Sequence, residues 1–279
     1  MGVLLAALSS LVYGTADFFG GIASKRNDGV VVTFLSQAAG CVILAVALAL
    51  WGDVTVAPAD MWWGIAAGAA GGAGLMLFYP ALAVGPMSVV APTTALCSAI
   101  VPLVVGLAIG ERPSGLALAG VVVALPAIVL VARERDEGPA GARRSTVVSS
   151  VLAGVGFGMF FVFLSRAGSS AGLWPLVGAR IGSLGLLAVV IVATRRPLRL
   201  GAGSWPVVVG AGTGDVVANS LYLLALGHGL LSVVAVIGSM YPASTVILAQ
   251  VVLHERMQRA QIVGLVLAAI AVAFVALGR

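Results

Sequence analysis

The stretch from Tyr79 to Ala132, YPALAVGPMSVVAPTTALCSAIVPLVVGLAIGERPSGLALAGVVVALPAIVLVA, occurs again in diverged form 144 residues further along the chain. Its counterpart runs from Leu223 to Ala276, and the two match at 16 of 54 positions without a gap. A chain rich in Ala, Val, Leu and Gly gives some matches by chance, but it less readily aligns Ser, Glu-Arg and Gly in one register. Those aligned residues are Ser88 with Ser232, Glu111-Arg112 with Glu255-Arg256, and Gly120 with Gly264. The sequence therefore predicts an internal duplication.

The composition is that of a membrane protein. Hydrophobic residues make up 61% of the 279 residues, charged residues make up 9%, and the mean hydropathy is +1.14. A soluble domain carries roughly a quarter charged residues, and a helix needs about 20 apolar residues to cross the hydrocarbon core. Ten apolar runs are predicted as spans: 3–23, 30–51, 61–83, 87–109, 115–132, 147–165, 172–193, 205–226, 231–252 and 260–277. They leave too few residues for a soluble catalytic or ligand-binding domain.

The predicted spans are helices, because a helix satisfies its own backbone hydrogen bonds in lipid. We predict an all-α membrane protein with ten transmembrane helices in two five-helix repeats, 1–132 and 146–279, joined by a polar linker at 133–145. An odd number of spans per repeat makes the copies enter the bilayer in opposite directions, which is the inverted repeat of secondary transporters. Glycines four residues apart predict close helix packing. They are Gly64, Gly68 and Gly72, Gly154 and Gly158, Gly178 and Gly182, and Gly210 and Gly214.

Basic residues are concentrated in alternate connections. Those after spans 1, 3, 5, 7 and 9 hold 11 Lys and Arg residues, whereas the opposite side with both termini holds 3. The positive-inside rule places the side with 11 in the cytoplasm. We therefore predict a multi-pass protein of the cytoplasmic (inner) membrane with both termini outside. The first apolar run contains Asp17 and has no Lys or Arg before it, so it is predicted to be a retained span.

Three ionisable residues lie well inside apolar runs: Asp17, Arg180 and Asp215. Placing one such charge at mid-bilayer costs on the order of 2.5–3.5 kcal/mol, which requires an explanation. A carboxylate in a partly dry cavity could bind and release a coupling proton. Arg180 could capture a carboxylate or phosphate of a solute. Alternatively, Arg180 and one Asp form a buried pair that only fixes helix packing.

Helical spacing groups further polar residues with these three. Asp215, Asn219 and Tyr222 share one face of span 8, and Tyr13 shares a face of span 1 with Asp17. Arg180 likewise shares a face with Ser183. Such a polar face in an apolar helix is more typical of a wet cavity than of a lipid contact.

Prolines mark spans 4, 5 and 9 of the repeats. Interrupted helices at matching places in two halves indicate a binding site, although a simple kink is the alternative for each proline. The candidates for helix breaks and their polar neighbours are Pro92, Thr94, Ser98, Pro102, Ser239 and Pro242. The Glu111-Arg112 and Glu255-Arg256 pairs are interpreted as charges that end helices at the bilayer boundary.

No catalytic constellation, metal-ligand spacing or phosphate-binding loop is recognisable. We therefore expect no enzymatic activity, no catalytic residue, no metal and no cofactor. The net charge of +5 is explained by membrane topology, and no basic domain is present to bind nucleic acid. The expected partners are a small-molecule solute and membrane lipid.

The order of motifs resembles that of the EamA domain of the drug/metabolite transporter superfamily. The first copy has Tyr79-Pro-Ala-Leu, Pro102, Gly110-Glu111-Arg112 and Gly120, and the second has Tyr222, Ser232-Val-Val-Ala, Tyr241-Pro242 and His254-Glu255-Arg256. The resemblance implies a ten-helix basket around a central cavity and transport of small solutes, often efflux. Members often have a basic residue in span 2, where this chain has Ser36-Gln37, while the repeat equivalent keeps Arg180-Ile181.

These observations predict a secondary transporter that moves an amino-acid-like or drug-like metabolite by alternating access. The two halves would rock around a midplane cavity lined by spans 1, 3, 4, 6, 8 and 9. Asp215 or Asp17 is the predicted coupling group, Arg180 the polar anchor, and Asn219, Tyr222, Tyr79 and Tyr13 complete the predicted solute or ion site. The alternative is a membrane assembly or lipid-handling protein without a solute cycle, in which Arg180 is paired internally.

Overall fold

The computed structural model describes residues 1–50, 56–108, 114–131, 140–167, 171–228 and 240–278. Within these ranges the chain is helical and has no strand. The helices are numbered in chain order: α1 (Gly2–Ser24), α2 (Gly29–Leu50), α3 (Pro58–Val84), α4 (Met87–Ala108), α5 (Gly115–Val131), α6 (Ala140–Leu164), α7 (Trp174–Thr194), α8 (Trp205–Gly227), α9 (Pro242–Val252) and α10 (Arg259–Leu277). Six of those described, α1, α2, α3, α6, α7 and α8, are long and apolar enough to cross a membrane.

The helices follow the predicted spans with two differences, and the first part of predicted span 9, 231–239, lies outside the described residues. α6 begins at Ala140, inside the predicted linker at 133–145, so the described end of that linker is helical. α4 is continuous through Pro92 and Pro102, so neither proline breaks the helix. A proline removes one backbone donor, and the neighbouring turns hold a helix that is packed on several sides. Pro242, in contrast, is the first residue of α9, where no intrahelical N–H bond is lost.

Glycine faces produce the closest helix packing. A Cβ built on Gly178 would lie 2.6 Å from the Met61 carbonyl oxygen, and one built on Gly72 would lie 3.0 Å from Ser183 Cα. Early turns of α3 therefore contact early turns of α7, and later turns contact later turns, so these two helices run parallel. The remaining predicted pairs also pack on neighbours, Gly154 and Gly158 against α4 and Gly210 and Gly214 against α1. Backbones that approach this closely gain dispersion contacts in lipid, where no hydrophobic force brings helices together.

The helices α2 and α7, which correspond in the two sequence repeats, run in opposite directions. Val30 at the start of α2 shares an apolar cluster with Ile191 near the end of α7. Leu44, late in α2, shares another cluster with Leu176 at the start of α7. Equivalent segments of the two repeats are thus packed head to tail.

The helices form two groups, and each group contains helices from both repeats. The first group comprises α1, α2, α8 and α9, the second comprises α3, α4, α6 and α7, and α5 packs with α10. In the repeat, α1 to α5 correspond in order to α6 to α10. When each helix of a contacting pair is replaced by its equivalent, the result is another contacting pair: α1–α8 gives α6–α3, α2–α8 gives α7–α3, and α4–α6 gives α9–α1. Such exchange is typical of a pseudo-two-fold axis.

Connections predicted to share a side of the membrane contact one another. Asn27, which follows α1, accepts a hydrogen bond from the Gly201 amide at 2.7 Å and donates one to Ser204 Oγ at 2.9 Å. Asp28 and Arg196 form an exposed ion pair beside them. The connections after α1 and α7 therefore lie at the same end of the bundle.

Candidate functional site

Arg180 lies between the two helix groups. Gly178 and Gly182 turn one face of α7 toward α3, and Arg180 extends from another face. Its guanidinium donates to the amide oxygen of Gln37 on α2 and forms an ion pair with Asp215 on α8. The side chains are 9% exposed for Arg180 and 18% exposed for Asp215. One residue of the second group therefore binds two helices of the first through buried, charge-assisted hydrogen bonds.

Neighbouring turns of α7 and α8 extend this arrangement. Ser183, one turn after Arg180, donates to the same amide oxygen at 3.2 Å. Asn219, one turn after Asp215, donates to the Asp215 carbonyl at 2.8 Å and accepts a hydrogen bond from the Tyr13 hydroxyl at 2.6 Å. The polar faces predicted for spans 7 and 8 are thus both occupied by contacts between helices. We call these residues the central polar cluster: Tyr13, Gln37, Arg180, Ser183, Asp215 and Asn219.

Asp17 is buried beside this cluster but makes none of its hydrogen bonds. The residue is 8% exposed, and in the described part of the chain its carboxyl has no ion-pair or hydrogen-bond partner. It is close enough to Asp215 for their negative charges to interact, and the guanidinium of Arg180 is already bound to Asp215. A buried carboxylate without a counter-charge is unfavourable, and binding of a proton or another cation removes that penalty.

Three of the four tyrosines of the chain lie near these carboxyl groups, and the fourth lies beside one of the three. Tyr13, Tyr79 and Tyr241 each lie within electrostatic range of Asp17, and Tyr222 neighbours Tyr13. The ring centroids of Tyr13 and Tyr241 are 6.3 Å apart with planes inclined at 53°. We call these four residues the tyrosine cage. They come from α1, α3, α8 and the residue before α9, so the cage is built by both helix groups.

The remaining predicted candidates lie around this centre. Thr94 donates to the Ser150 carbonyl at 3.1 Å and joins α4 to α6. Ser98 donates to the Ala95 carbonyl of its own helix at 2.8 Å. Pro92 and Pro242 are buried in α4 and α9 without a role in the cluster's hydrogen bonds. The side chain of Pro102 and the whole of Ser239 lie outside the described residues.

Gln37 is absent from the site residues predicted from sequence, although it accepts hydrogen bonds from two members of the cluster. It follows Ser36, which is the repeat equivalent of Arg180. Ser36 itself is buried and lies beside the Tyr79 hydroxyl. The sequence did carry a signal for Gln37. Ser36 and Gln37 are two adjacent polar residues in an otherwise apolar run, and they align with Arg180-Ile181 in the other repeat.

Glu255 forms a second contact between the helix groups, at one end of the bundle. Its carboxylate accepts hydrogen bonds from the backbone amides of Met87 at 3.0 Å and Ser88 at 3.1 Å, at the start of α4. A carboxylate stabilises a helix start by accepting unpaired amides and by opposing the helix dipole. The residue predicted as a local end charge of span 9 therefore caps α4 of the other group.

Comparison with known proteins gives one family and one fold. A family model described as "EamA-like transporter family" matches residues 1–133 and 144–277. No curated protein matches the chain. A solved structure titled "Crystal structure of protein" aligns with 98% of this chain and 95% of its own, with a TM-score of 0.68 and 17% sequence identity. At that identity the likeness shows a shared fold.

Proposed function

Because this chain belongs to the EamA-like transporter family, we propose that it is a secondary transporter that exports a small metabolite across the cytoplasmic membrane by alternating access. Family membership and the apolar helices establish a multi-pass membrane protein and a transporter rather than an enzyme. The observation that carries the proposal is the central polar cluster. It places a buried ion pair between two helix groups in an apolar bundle.

The topology that supports this function is an inverted repeat with ten spans. Each of the ten apolar runs of the sequence overlaps one of the described helices. The opposite directions of α2 and α7 and the exchangeable helix pairs are what two inverted copies would give. The side that carries 11 basic residues would face the cytoplasm.

The moving bodies in this mechanism are the helix groups, not the two halves of the sequence. α1 packs on α8 and α3 on α7, so the most extensive contacts join one repeat to the other. Opening the end near α4 requires the carboxylate of Glu255 to leave the amides of Met87 and Ser88. Arg180 holds the groups together at the centre while either end opens.

Asp17 is the coupling carboxyl in this proposal, in preference to Asp215. The charge of Asp215 is already compensated by Arg180, whereas Asp17 is buried without a partner among the described residues. The titratable groups that face Asp17 are Tyr13 on its own helix, Asp215 on α8, and two further tyrosines. Those are Tyr79 on α3 and Tyr241 before α9. Proton binding at Asp17 would remove an uncompensated charge and change the balance between the two open states.

The direct test is counterflow in liposomes that contain the purified protein. Liposomes loaded with an unlabelled solute would accumulate the labelled solute transiently, across a panel of amino acids, nucleosides and amphipathic amines. An imposed pH gradient would drive net uptake by the wild type and by the matched control Asp28→Asn, but not by Asp17→Asn. Absence of counterflow for every solute would contradict transport. Undiminished gradient-driven uptake by Asp17→Asn would remove Asp17 from the coupling role and leave transport intact.

A static membrane scaffold or lipid-handling protein is the second candidate, because it would also contain an internally paired Arg180. Cysteine labelling separates the two. In a background with Cys41 and Cys97 replaced by Ala, Asn219→Cys would react with membrane-impermeant maleimides from both sides of the membrane if access alternates. A cysteine that reacts from neither side would favour the scaffold.

A further inference from the structure

We propose that the site binds a monovalent organic cation, with its ammonium group against the Asp17 carboxylate and its carbon substituents among the rings of the tyrosine cage. This inference rests on the proposed function, since it names the chemical class of the transported solute. It is narrower than that function, because a transporter of this fold could equally carry a neutral or an anionic metabolite.

The charge of the site favours a cation. Arg180 and Asp215 neutralise each other in one ion pair. Asp17, when ionised, is a negative charge that no basic side chain of the described residues contacts. A bound cation would supply the missing counter-charge in a place where water cannot screen it. The site would therefore gain most from a solute with one positive charge.

The site is less suited to an anionic group. The guanidinium of Arg180 is engaged by the Gln37 amide oxygen and the Asp215 carboxylate, so its positive charge is already compensated within the protein. A zwitterionic amino acid would bring its own carboxylate close to Asp17 and Asp215. The site therefore favours amines that lack an acidic group.

The aromatic residues favour an organic cation over a metal ion. Cations are attracted to the faces of aromatic rings within about 6 Å of the centroid, most strongly where water is excluded. Tyr13 and Tyr241 present two inclined rings near Asp17, and Tyr79 is 1% exposed. Phe161 and Tyr222, with ring centroids 6.1 Å apart, add apolar surface for the hydrocarbon part of the solute. Hard metal ions prefer several oxygen ligands instead.

The hydroxyl of Tyr241 is independent support for a bound solute, because it is a buried polar group whose hydrogen bonding is unsatisfied in the described part of the chain. It is buried and makes no hydrogen bond of good geometry within the described residues, although Ser98 lies nearby. A buried hydroxyl without a partner is unfavourable, and an ammonium N–H or a polar substituent of the solute would satisfy it.

The test is equilibrium binding of tetraalkylammonium ions, from tetramethyl to tetrabutyl, to the purified protein in a non-ionic detergent, measured by calorimetry. These probes carry a permanent charge and differ only in size. We expect at least one of them to bind the wild type and to bind Asp17→Asn at least tenfold more weakly, on the order of 1.4 kcal/mol. Tyr241→Leu, which loses a ring face, should weaken binding roughly fivefold or more, and Tyr241→Phe should weaken it less. Asp28→Asn, at an exposed ion pair, is the matched control and should bind as the wild type does.

The binding experiment tests the cation proposal independently of the transport proposal. If no probe binds the wild type, or if Asp17→Asn binds as tightly, the cation proposal is overturned. Counterflow of a neutral or anionic solute would then still uphold the transporter. Tryptophan fluorescence during heating shows whether Asp17→Asn stays folded. Asp17→Glu, which keeps the charge, should retain more of the affinity than Asp17→Asn, and equal loss in both would also overturn the role of the carboxylate.

Discussion

The Arg180–Asp215 ion pair predicts that neutralising either residue alone destabilises the protein more than neutralising both. Arg180→Met leaves the Asp215 carboxylate without its counter-charge and removes a donor from Gln37. Asp215→Asn leaves the guanidinium with one amide partner. Breaking a buried pair by removing one member costs about 3–5 kcal/mol, whereas replacing both members is often close to neutral.

The burial of the pair sets the size of the effect. Both side chains are less than a fifth exposed, at 9% for Arg180 and 18% for Asp215, so solvent screens the pair weakly. A free-energy loss of 1 kcal/mol lowers Tm by about 2–4 °C in a chain of this length. Each single variant should therefore unfold roughly 6–20 °C below the wild type. The double variant should recover most of that difference.

The assay is thermal unfolding in detergent, followed by the fluorescence of the five tryptophans. A parallel cycle on Asp28 and Arg196, whose side chains are 39% and 36% exposed, supplies the control, because exposed pairs contribute about 0–1 kcal/mol. The reasoning is refuted if the double variant loses as much stability as the two single variants added together. Additivity would mean that the two charges do not interact.

Three further outcomes are expected. Gly182→Ala, whose Cβ would overlap the Ile65 carbonyl, should lose about 1–3 kcal/mol in the same unfolding assay. Gly185→Ala, on the same helix with nothing within 4 Å, should gain up to about 1 kcal/mol, and equal effects would contradict the parallel α3–α7 contact. In Glu255→Gln, a cysteine placed at the start of α4 should react with maleimide several-fold faster, because the Gln side chain has only one acceptor oxygen for the two backbone N–H groups. An unchanged reaction rate would show that the contact of residue 255 with α4 does not hold this end of the bundle closed. Thr94→Val should lose about 1 kcal/mol of stability and leave tetraalkylammonium binding unchanged, and weaker binding would place Thr94 inside the site after all.

The fold was largely predictable because membrane insertion is governed by composition and length. Long apolar runs specify helices, and a displaced copy of one segment specifies two repeats. The structure bears out the helical class, and the family match bears out the resemblance. Four-residue glycine spacing also indicated the packing faces, since only a missing side chain permits contacts such as that of Gly178 with Met61.

The site was only partly predictable, because its contacts depend on the register between helices. Periodicity placed Asn219 on the face of Asp215, and the two are joined by a hydrogen bond. Periodicity could not say which acidic residue pairs with Arg180, since the choice between Asp17 and Asp215 depends on how α1 and α8 lie against α7. Gln37 escaped prediction for the same reason, as its amide matters only once α2 lies beside α7.

The distribution of helix contacts also has a consequence for how the protein is made. α1 and α3 contact their main partners, α8, α6 and α7, only after the second repeat has been synthesised. The first five helices therefore leave the ribosome with glycine faces such as those of Gly68 and Gly72 uncovered by protein. Nascent helices of this kind wait in lipid for their partners, so tertiary assembly is a late event in biosynthesis. A polypeptide cut between the repeats would therefore insert into the membrane without its most extensive native contacts, and expressing the two pieces together would restore them.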